Sequence, residues 1–96
     1  MTSLEKFNLL IEMETKECKV KVTTVRGDVY YCIVECPAEG EKDWAYHFIS
    51  PDYPTKYFIL SCNFIEKIEE VREDEWARHL AQIKRNADEA AKEEYK

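Results

Sequence analysis

Residues 26–36, RGDVYYCIVEC, decide the fold of this chain. The Arg-Gly-Asp step is a turn signal, because glycine readily adopts the positive φ that tight turns need. The residues that follow, 29–36, are rich in aromatic and β-branched side chains and predict a strand. One face of this strand carries Tyr30, Cys32, Val34 and Cys36, and the other carries Val29, Tyr31 and Ile33. Because both faces are apolar, we expect the strand to be covered on both sides, by a barrel interior and by a helix.

The segments on either side of this strand predict two helices and four further strands. Thr2 and Glu5 form the T-x-x-E pattern of a capping box, and apolar residues then recur at steps of three and four, so that a helix over residues 3–15 is predicted. Residues 18–25 alternate between apolar and polar side chains, which is typical of a half-buried strand. The remaining strands are predicted at 44–49, 57–62 and 64–71, and a long helix at about 72–95.

The order of these elements predicts a fold class. It is mainly β with flanking helices, as one domain over residues 1–96 in which 1–71 hold the first helix and the sheet and 72–96 hold the last helix. Short antiparallel strands with closely spaced turns favour a five-stranded small barrel of the Sm-like or SH3-like kind. Period-two alternation places seven side chains in its interior: Val20, Val22, Tyr30, Cys32, Val34, Phe58 and Leu60.

The composition bears on the partners of the chain. Its 96 residues include 20 acids and 14 bases, which gives a net charge of −6. Nucleic acids are polyanions whose binders normally bring positive charge, so this balance disfavours a nucleic-acid partner. No uncharged apolar stretch approaches the roughly 18 residues of a membrane span, and acids interrupt the apolar positions near residue 1. We therefore expect a cytoplasmic protein with no membrane partner.

The residue types that carry chemistry are sparse. The closest cysteines, Cys32 and Cys36, lie about 13 Å apart on a strand, which is too far for one zinc ion. Together with Cys18 and Cys62, they are expected to be reduced, metal-free thiols. A nucleophile-base pair of Cys62 with His47 lacks any signature, and His47 is interpreted as a structural histidine. The sequence therefore predicts no cofactor, no metal, no catalytic residue and no enzymatic activity.

Two segments carry a resemblance to a known family. Residues 27–34, GDVYYCIV, are similar to the first motif of the Sm-like (Lsm) family, with Cys32 where the family prefers a second glycine. Residues 60–68, LSCNFIEKI, look like its second motif, with Ser61 and Cys62 in place of Arg-Gly. The resemblance implies a small barrel, and the leading helix favours the Sm-like form over other small barrels.

The resemblance does not carry over the RNA pocket of the family. In its RNA-binding members, an Asp and an Asn near the loop after the second strand and the Arg of the second motif hold a base. The matching positions here fall near Ala38 and Lys42 and at Ser61. The groups that would hold a flipped-out base are therefore missing.

The function predicted from these observations is binding. The leading hypothesis is a non-catalytic, acidic, Sm-like protein-interaction or regulatory module. The alternative is an oligomeric RNA- or nucleotide-binding Sm-like protein with a non-standard aromatic pocket. The candidate partner-binding residues are Trp44, Tyr46, Tyr53 and Tyr57, because aromatic side chains anchor protein partners and stack on bases.

Self-association is also expected, as a dimer rather than a ring. The apolar faces of the second strand and the open strand edges provide surface that proteins usually cover. The last helix adds a heptad seam that ends at Glu94: Trp76, Leu80, Ile83, Ala87 and Ala90. Its first half is large and apolar, which fits a helix docked near Trp76 that projects beyond Ala87. The projecting part either pairs with another chain or frays, and the loss of the seam at Glu94 favours fraying.

Overall fold

A computed structural model gives the structure of the protein and describes residues 1–38, 44–51 and 57–94, with the backbone alone for 91–94. Two helices and a five-stranded sheet form in the predicted order. The elements are α1 (Ser3–Thr15), β1 (Lys19–Thr24), β2 (Val29–Pro37), β3 (Ala45–Ile49), β4 (Tyr57–Ser61), a short 3-10 turn (Cys62–Phe64), β5 (Ile65–Glu70) and α2 (Glu73–Glu94). The fold is mainly β with flanking helices, as predicted.

The first helix begins at the capping box that the sequence predicts. The Thr2 hydroxyl accepts a hydrogen bond from the Glu5 amide at 3.2 Å, and the Glu5 carboxylate accepts one from the Thr2 amide at 3.1 Å. Two amides that have no partner inside the helix are thereby satisfied. After the helix, Glu17 takes a left-handed backbone with φ of 56°, which turns the chain into β1.

The five strands form one antiparallel sheet in the order β4-β3-β2-β1-β5. The pairing register shifts between Thr23 and Thr24 and again between Val34 and Cys36. Such bulges increase the local twist and bend of a strand. The sheet is not closed, since β4 and β5 are its two edges, and the predicted closure into a barrel is not confirmed.

The predicted interior lies where α1 crosses the inner face of the sheet. Four of the seven predicted residues are buried: Val20, Val22, Cys32 and Val34. The other three are partly buried and pack against this core: Tyr30, Phe58 and Leu60. Leu10 of α1 is completely buried in the same cluster. The predicted strand phase is therefore confirmed.

The outer face of β2 departs from the prediction that both faces would be covered. Val29 is 49% exposed and Ile33 is 37% exposed. Tyr31, between them, contacts α2: its ring stacks on His79 at 4.1 Å, and its hydroxyl donates to Glu75 at 2.9 Å. The prediction was wrong for Val29 and Ile33, because α1 lies on the inner face and the contacts of α2 with Tyr31, from its first turns, leave the side chains on either side exposed.

The second helix docks through its first turns. Trp76 is 8% exposed, and the Lys19 ammonium lies 5.8 Å from the centre of its ring. Leu80, one turn later, is already 42% exposed. The longest dimension of the molecule is 50 Å, against 26 and 22 Å for the other two.

Within the described ranges, neither helix combines the length and the apolar character needed to cross a membrane.

We predict that Val34→Asp unfolds the domain, because a carboxylate without a partner would be buried at a side chain that is 5% exposed. The loss should exceed about 3 kcal/mol. Val29→Asp is the matched control on the same strand and should cost far less, since Val29 is 49% exposed. Urea denaturation of both variants checks the prediction, and a stable Val34→Asp protein would contradict the observed register.

Candidate functional site

The structure describes three of the four aromatic residues predicted to bind a partner, and it separates them. Tyr46 is completely buried against Phe7 and Phe48, with ring centres 5.4 and 6.2 Å away. Its hydroxyl donates a hydrogen bond to Glu14 of α1. Burial raises the pKa of Tyr46 well above its usual value, and the hydrogen bond to Glu14 raises it further. Tyr46 is therefore a core residue, and its assignment as a partner-binding residue is corrected.

The two other described residues of this set, Trp44 and Tyr57, do not lie together. Trp44 is 47% exposed and packs on Phe7 of α1, with the ring centres 5.1 Å apart. It thus lies toward the inner, helix-covered side of the sheet. Tyr57 is 57% exposed and contacts His47, which lies across from Ile59 on the neighbouring strand. Tyr53 lies outside the described residues. Of the predicted set, the structure leaves Tyr57 and Trp44 at the surface, on different sides.

Tyr57 belongs to an exposed apolar surface that was not predicted from the sequence. We define the outer patch as Ile33, Ile49, Tyr57 and Ile59, whose exposed fractions are 37, 39, 57 and 48%. Ile33 of β2 pairs with Ile49 of β3, and Ile49 pairs with Tyr57 of β4. Directly paired side chains lie about 5 Å apart and share a face, so these residues form a continuous row across three strands. The alternation of Phe48 with Ile49 and of Phe58 with Ile59 was the signal in the sequence.

Carboxylates border the outer patch at the end near α1. An open cleft of about 480 Å³ is lined by Glu14, Glu17, Ile33, Val34, Glu35 and Ile49. Partial burial raises the pKa of Tyr57, and its hydrogen bond to the Glu35 carboxylate raises it further. The Tyr57 hydroxyl also lies 3.1 Å from Nδ1 of His47. The patch is therefore apolar at its centre and acidic at this border.

The structure separates the one cysteine–histidine pair that the sequence suggested. Cys62 is buried in the core, whereas His47 contacts Tyr57 on the outer face, so the Cys62–His47 pair considered from the sequence does not form. Burial raises the pKa of the Cys62 thiol. Burial likewise raises the pKa of Cys18, whose thiol lies 3.5 Å from the Glu70 carboxylate in a polar cleft of about 260 Å³. Protonated thiols are poor nucleophiles and poor metal ligands.

Of the three positions that correspond to the RNA pocket of the Sm-like family, the structure describes Ser61 and Ala38. Ser61 ends β4, and its hydroxyl accepts a hydrogen bond from the Asn63 amide at 3.2 Å, which caps the 3-10 turn. Ala38 is half-buried after β2, and Lys42 lies outside the described residues. Among residues 1–38, 44–51 and 57–94, no group of three or more metal-ligating side chains is close enough to hold an ion.

Comparisons with known proteins add no relative. No protein-family model matches the chain, and searches of curated proteins and of solved structures give no match.

We predict that the thiols of Cys32 and Cys62 react slowly with a mild disulfide reagent at neutral pH. Both side chains are completely buried, and the raised pKa of Cys62 lowers its thiolate fraction. Reaction should become fast only when the protein is unfolded. Labelling followed by mass spectrometry, with and without denaturant, checks this. Stoichiometric zinc in the purified protein, lost together with the fold on chelation, would contradict the assignment of these residues as core thiols.

Proposed function

We propose that this protein is a non-catalytic, acidic protein-interaction module that contacts its partner through the outer patch. The observation that carries the proposal is the row of exposed Ile33, Ile49, Tyr57 and Ile59 across three adjacent strands. Single exposed apolar side chains are ordinary, but contiguous ones mark interaction surfaces. An aromatic residue beside aliphatic ones is also typical of the centre of a protein interface.

The contrast within the outer face of the sheet supports this proposal. On β1 and β5 the outward positions are charged or polar, and the Lys21 ammonium lies 3.8 Å from the Glu69 carboxylate across the two strands. On β3 and β4 the corresponding outward positions hold Ile49 and Ile59. When one face of an antiparallel sheet is in water, polar side chains on that face are sufficient for the sheet to form. The apolar half therefore does not follow from the requirements of the sheet.

The charge distribution favours a protein over a nucleic acid as the partner. The net charge of −6 and the carboxylates of Glu14, Glu17 and Glu35 beside the patch would repel phosphates. The alternative aromatic pocket for RNA or a nucleotide loses Tyr46, which is buried. Salt dependence separates the two hypotheses, because phosphate binding weakens steeply with added salt and an apolar contact does not.

The Sm-like assignment belongs to the same proposal. A leading helix, five short antiparallel strands and the two motif-like segments support a barrel of this kind, with β4 and β5 as the strands that closure would bring together. Open strand edges are surfaces that proteins usually cover, which supports self-association as well. We propose a dimer rather than a ring.

We predict that Ile49→Lys abolishes partner binding and leaves the protein folded. The matched control is Ile11→Lys on α1, since Ile11 is 41% exposed and Ile49 is 39% exposed. Exposed substitutions usually change stability by no more than about 0.5 kcal/mol. The measurement is capture of proteins from an extract of the native host, with and without nuclease, by the wild type and by both variants.

Proteins captured by the wild type and by Ile11→Lys, but not by Ile49→Lys, would support the proposal. Capture that is unchanged in Ile49→Lys would exclude the outer patch as the binding surface. Capture that disappears with nuclease would instead favour the nucleic-acid alternative.

A further inference from the structure

The three strands that carry the outer patch contain no basic side chain. Strands β2, β3 and β4 together hold no lysine or arginine and one acid, Glu35. The lysines of the sheet lie on β1 and β5, each with a carboxylate within 4 Å: the Lys19 ammonium lies 3.7 Å from Glu73, and the Lys21 ammonium lies 3.8 Å from Glu69. The positive charge of the sheet is therefore paired with carboxylates of β5 and α2.

The carboxylates at the border of the patch differ from those on β5 and α2. The cleft of about 480 Å³ beside the patch is lined by Ile33 and Ile49 and by Glu14, Glu17 and Glu35, among others. Glu17 and Glu35 are exposed, and Glu14 is half-buried. None of these three takes part in an ion pair with another of the described residues.

The sequence around the patch has the same sign of charge as its border. From the start of β2 to the end of β4, residues 29–61 hold five acids and two bases. This count includes residues 39–43 and 52–56, which lie outside the described ranges. The acidic character of the region therefore does not depend on the positions of those side chains.

An apolar row with an acidic border matches one kind of side chain in particular. Lysine and arginine place a cation at the end of an apolar stem, and the stem packs on apolar surface while the cation remains in a polar environment. The Glu35 carboxylate accepts a hydrogen bond from Tyr57, and a carboxylate has room for further donors. An acidic side chain from a partner would meet like charges at the same border.

We infer that the partner of the outer patch is a protein segment in which a lysine or arginine stands beside aliphatic or aromatic side chains. The apolar side chains lie on Ile49 and Tyr57, and the stem of the basic residue crosses Ile33, so that its cation reaches Glu17 and Glu35. Three strands span about 10 Å, which an extended segment of about four residues covers. The inference rests on the proposed function, because it adds the chemistry of the partner to the same patch.

The first test is selection from a random library of short peptides displayed on phage, with the full chain immobilised. Peptides that bind the wild type and Ile11→Lys, but not Ile49→Lys, are those that bind at the patch. We expect these peptides to be enriched, relative to the unselected library, in lysine or arginine next to aliphatic or aromatic residues.

The second test measures the affinity of one such peptide by fluorescence anisotropy. Glu17→Lys/Glu35→Lys should weaken binding at least about tenfold, because the basic residue of the peptide then meets like charges. The matched control is Asp88→Lys/Glu89→Lys, at exposed positions of α2. Each replacement of an acid by lysine adds two charges, so both variants change the net charge from −6 to −2. The control should bind within about threefold of the wild type, since only the charge far from the contact is altered.

A charge exchange between peptide and protein completes this test. Replacing the basic residue of the peptide by glutamate should weaken its binding to the wild type. The same peptide should bind Glu17→Lys/Glu35→Lys within about threefold of the original pair, because the two charges again have opposite sign. Circular dichroism of each variant checks that it is folded.

Two results would overturn the inference and leave the proposed function standing. One is a set of patch-binding peptides without basic residues, and the other is binding that Glu17→Lys/Glu35→Lys leaves unchanged. If the wild type is monomeric by light scattering and no peptide distinguishes it from Ile49→Lys, both the inference and the proposed function are overturned. If the wild type is dimeric and Ile49→Lys is monomeric, a second copy of the chain occupies the patch in place of the basic segment, and the inference is overturned.

Discussion

One helix covers one face of the sheet, and the rest of the structure depends on this constraint. Helix α1 lies on the inner face, where Leu10 is buried against the side chains of β1 and β2. No second helix of that extent lies along the outer face in the described ranges, since α2 is anchored there by its first turns around Trp76. The buried core and the exposed outer patch are two consequences of this unequal cover. A sheet that must bury one face for stability leaves the other for interaction.

Polar contacts hold α1 in this position and explain why an aromatic residue of β3 is structural. The Lys6 ammonium donates to the Ile65 carbonyl at 2.5 Å, and near the other end of the helix Glu14 accepts the hydroxyl proton of Tyr46. A buried tyrosine hydroxyl needs such a partner, because an unsatisfied one costs about 1–3 kcal/mol. The glutamate meets that need, and in doing so it fixes the helix over the strand that carries Tyr46.

The sequence predicts the elements well because their signals are local. The Thr2–Glu5 capping box and the alternation along β1 need no knowledge of distant residues, and both are confirmed. Tyr46 and Ile33 were assigned wrongly because their environment depends on which face α1 covers, which is a tertiary fact. Composition alone does not distinguish a buried tyrosine from one that binds a partner. For the candidate site, the sequence predicted Tyr57 as a partner-binding residue. It did not predict that isoleucines lie beside Tyr57, because that depends on the register between neighbouring strands.

The acidic composition and the exposed apolar row have opposite effects on solubility. An open edge at β4 next to Ile59 and Tyr57 is the kind of surface that promotes nonspecific association, because both backbone groups and apolar side chains are exposed there. A net charge of −6 on 96 residues opposes such association through general repulsion. Repulsion of this kind acts on any two copies in any orientation, so it opposes nonspecific association without specifying one contact. The apolar row supplies the attraction and the net charge opposes it, so the solubility of the protein depends on the balance between the two.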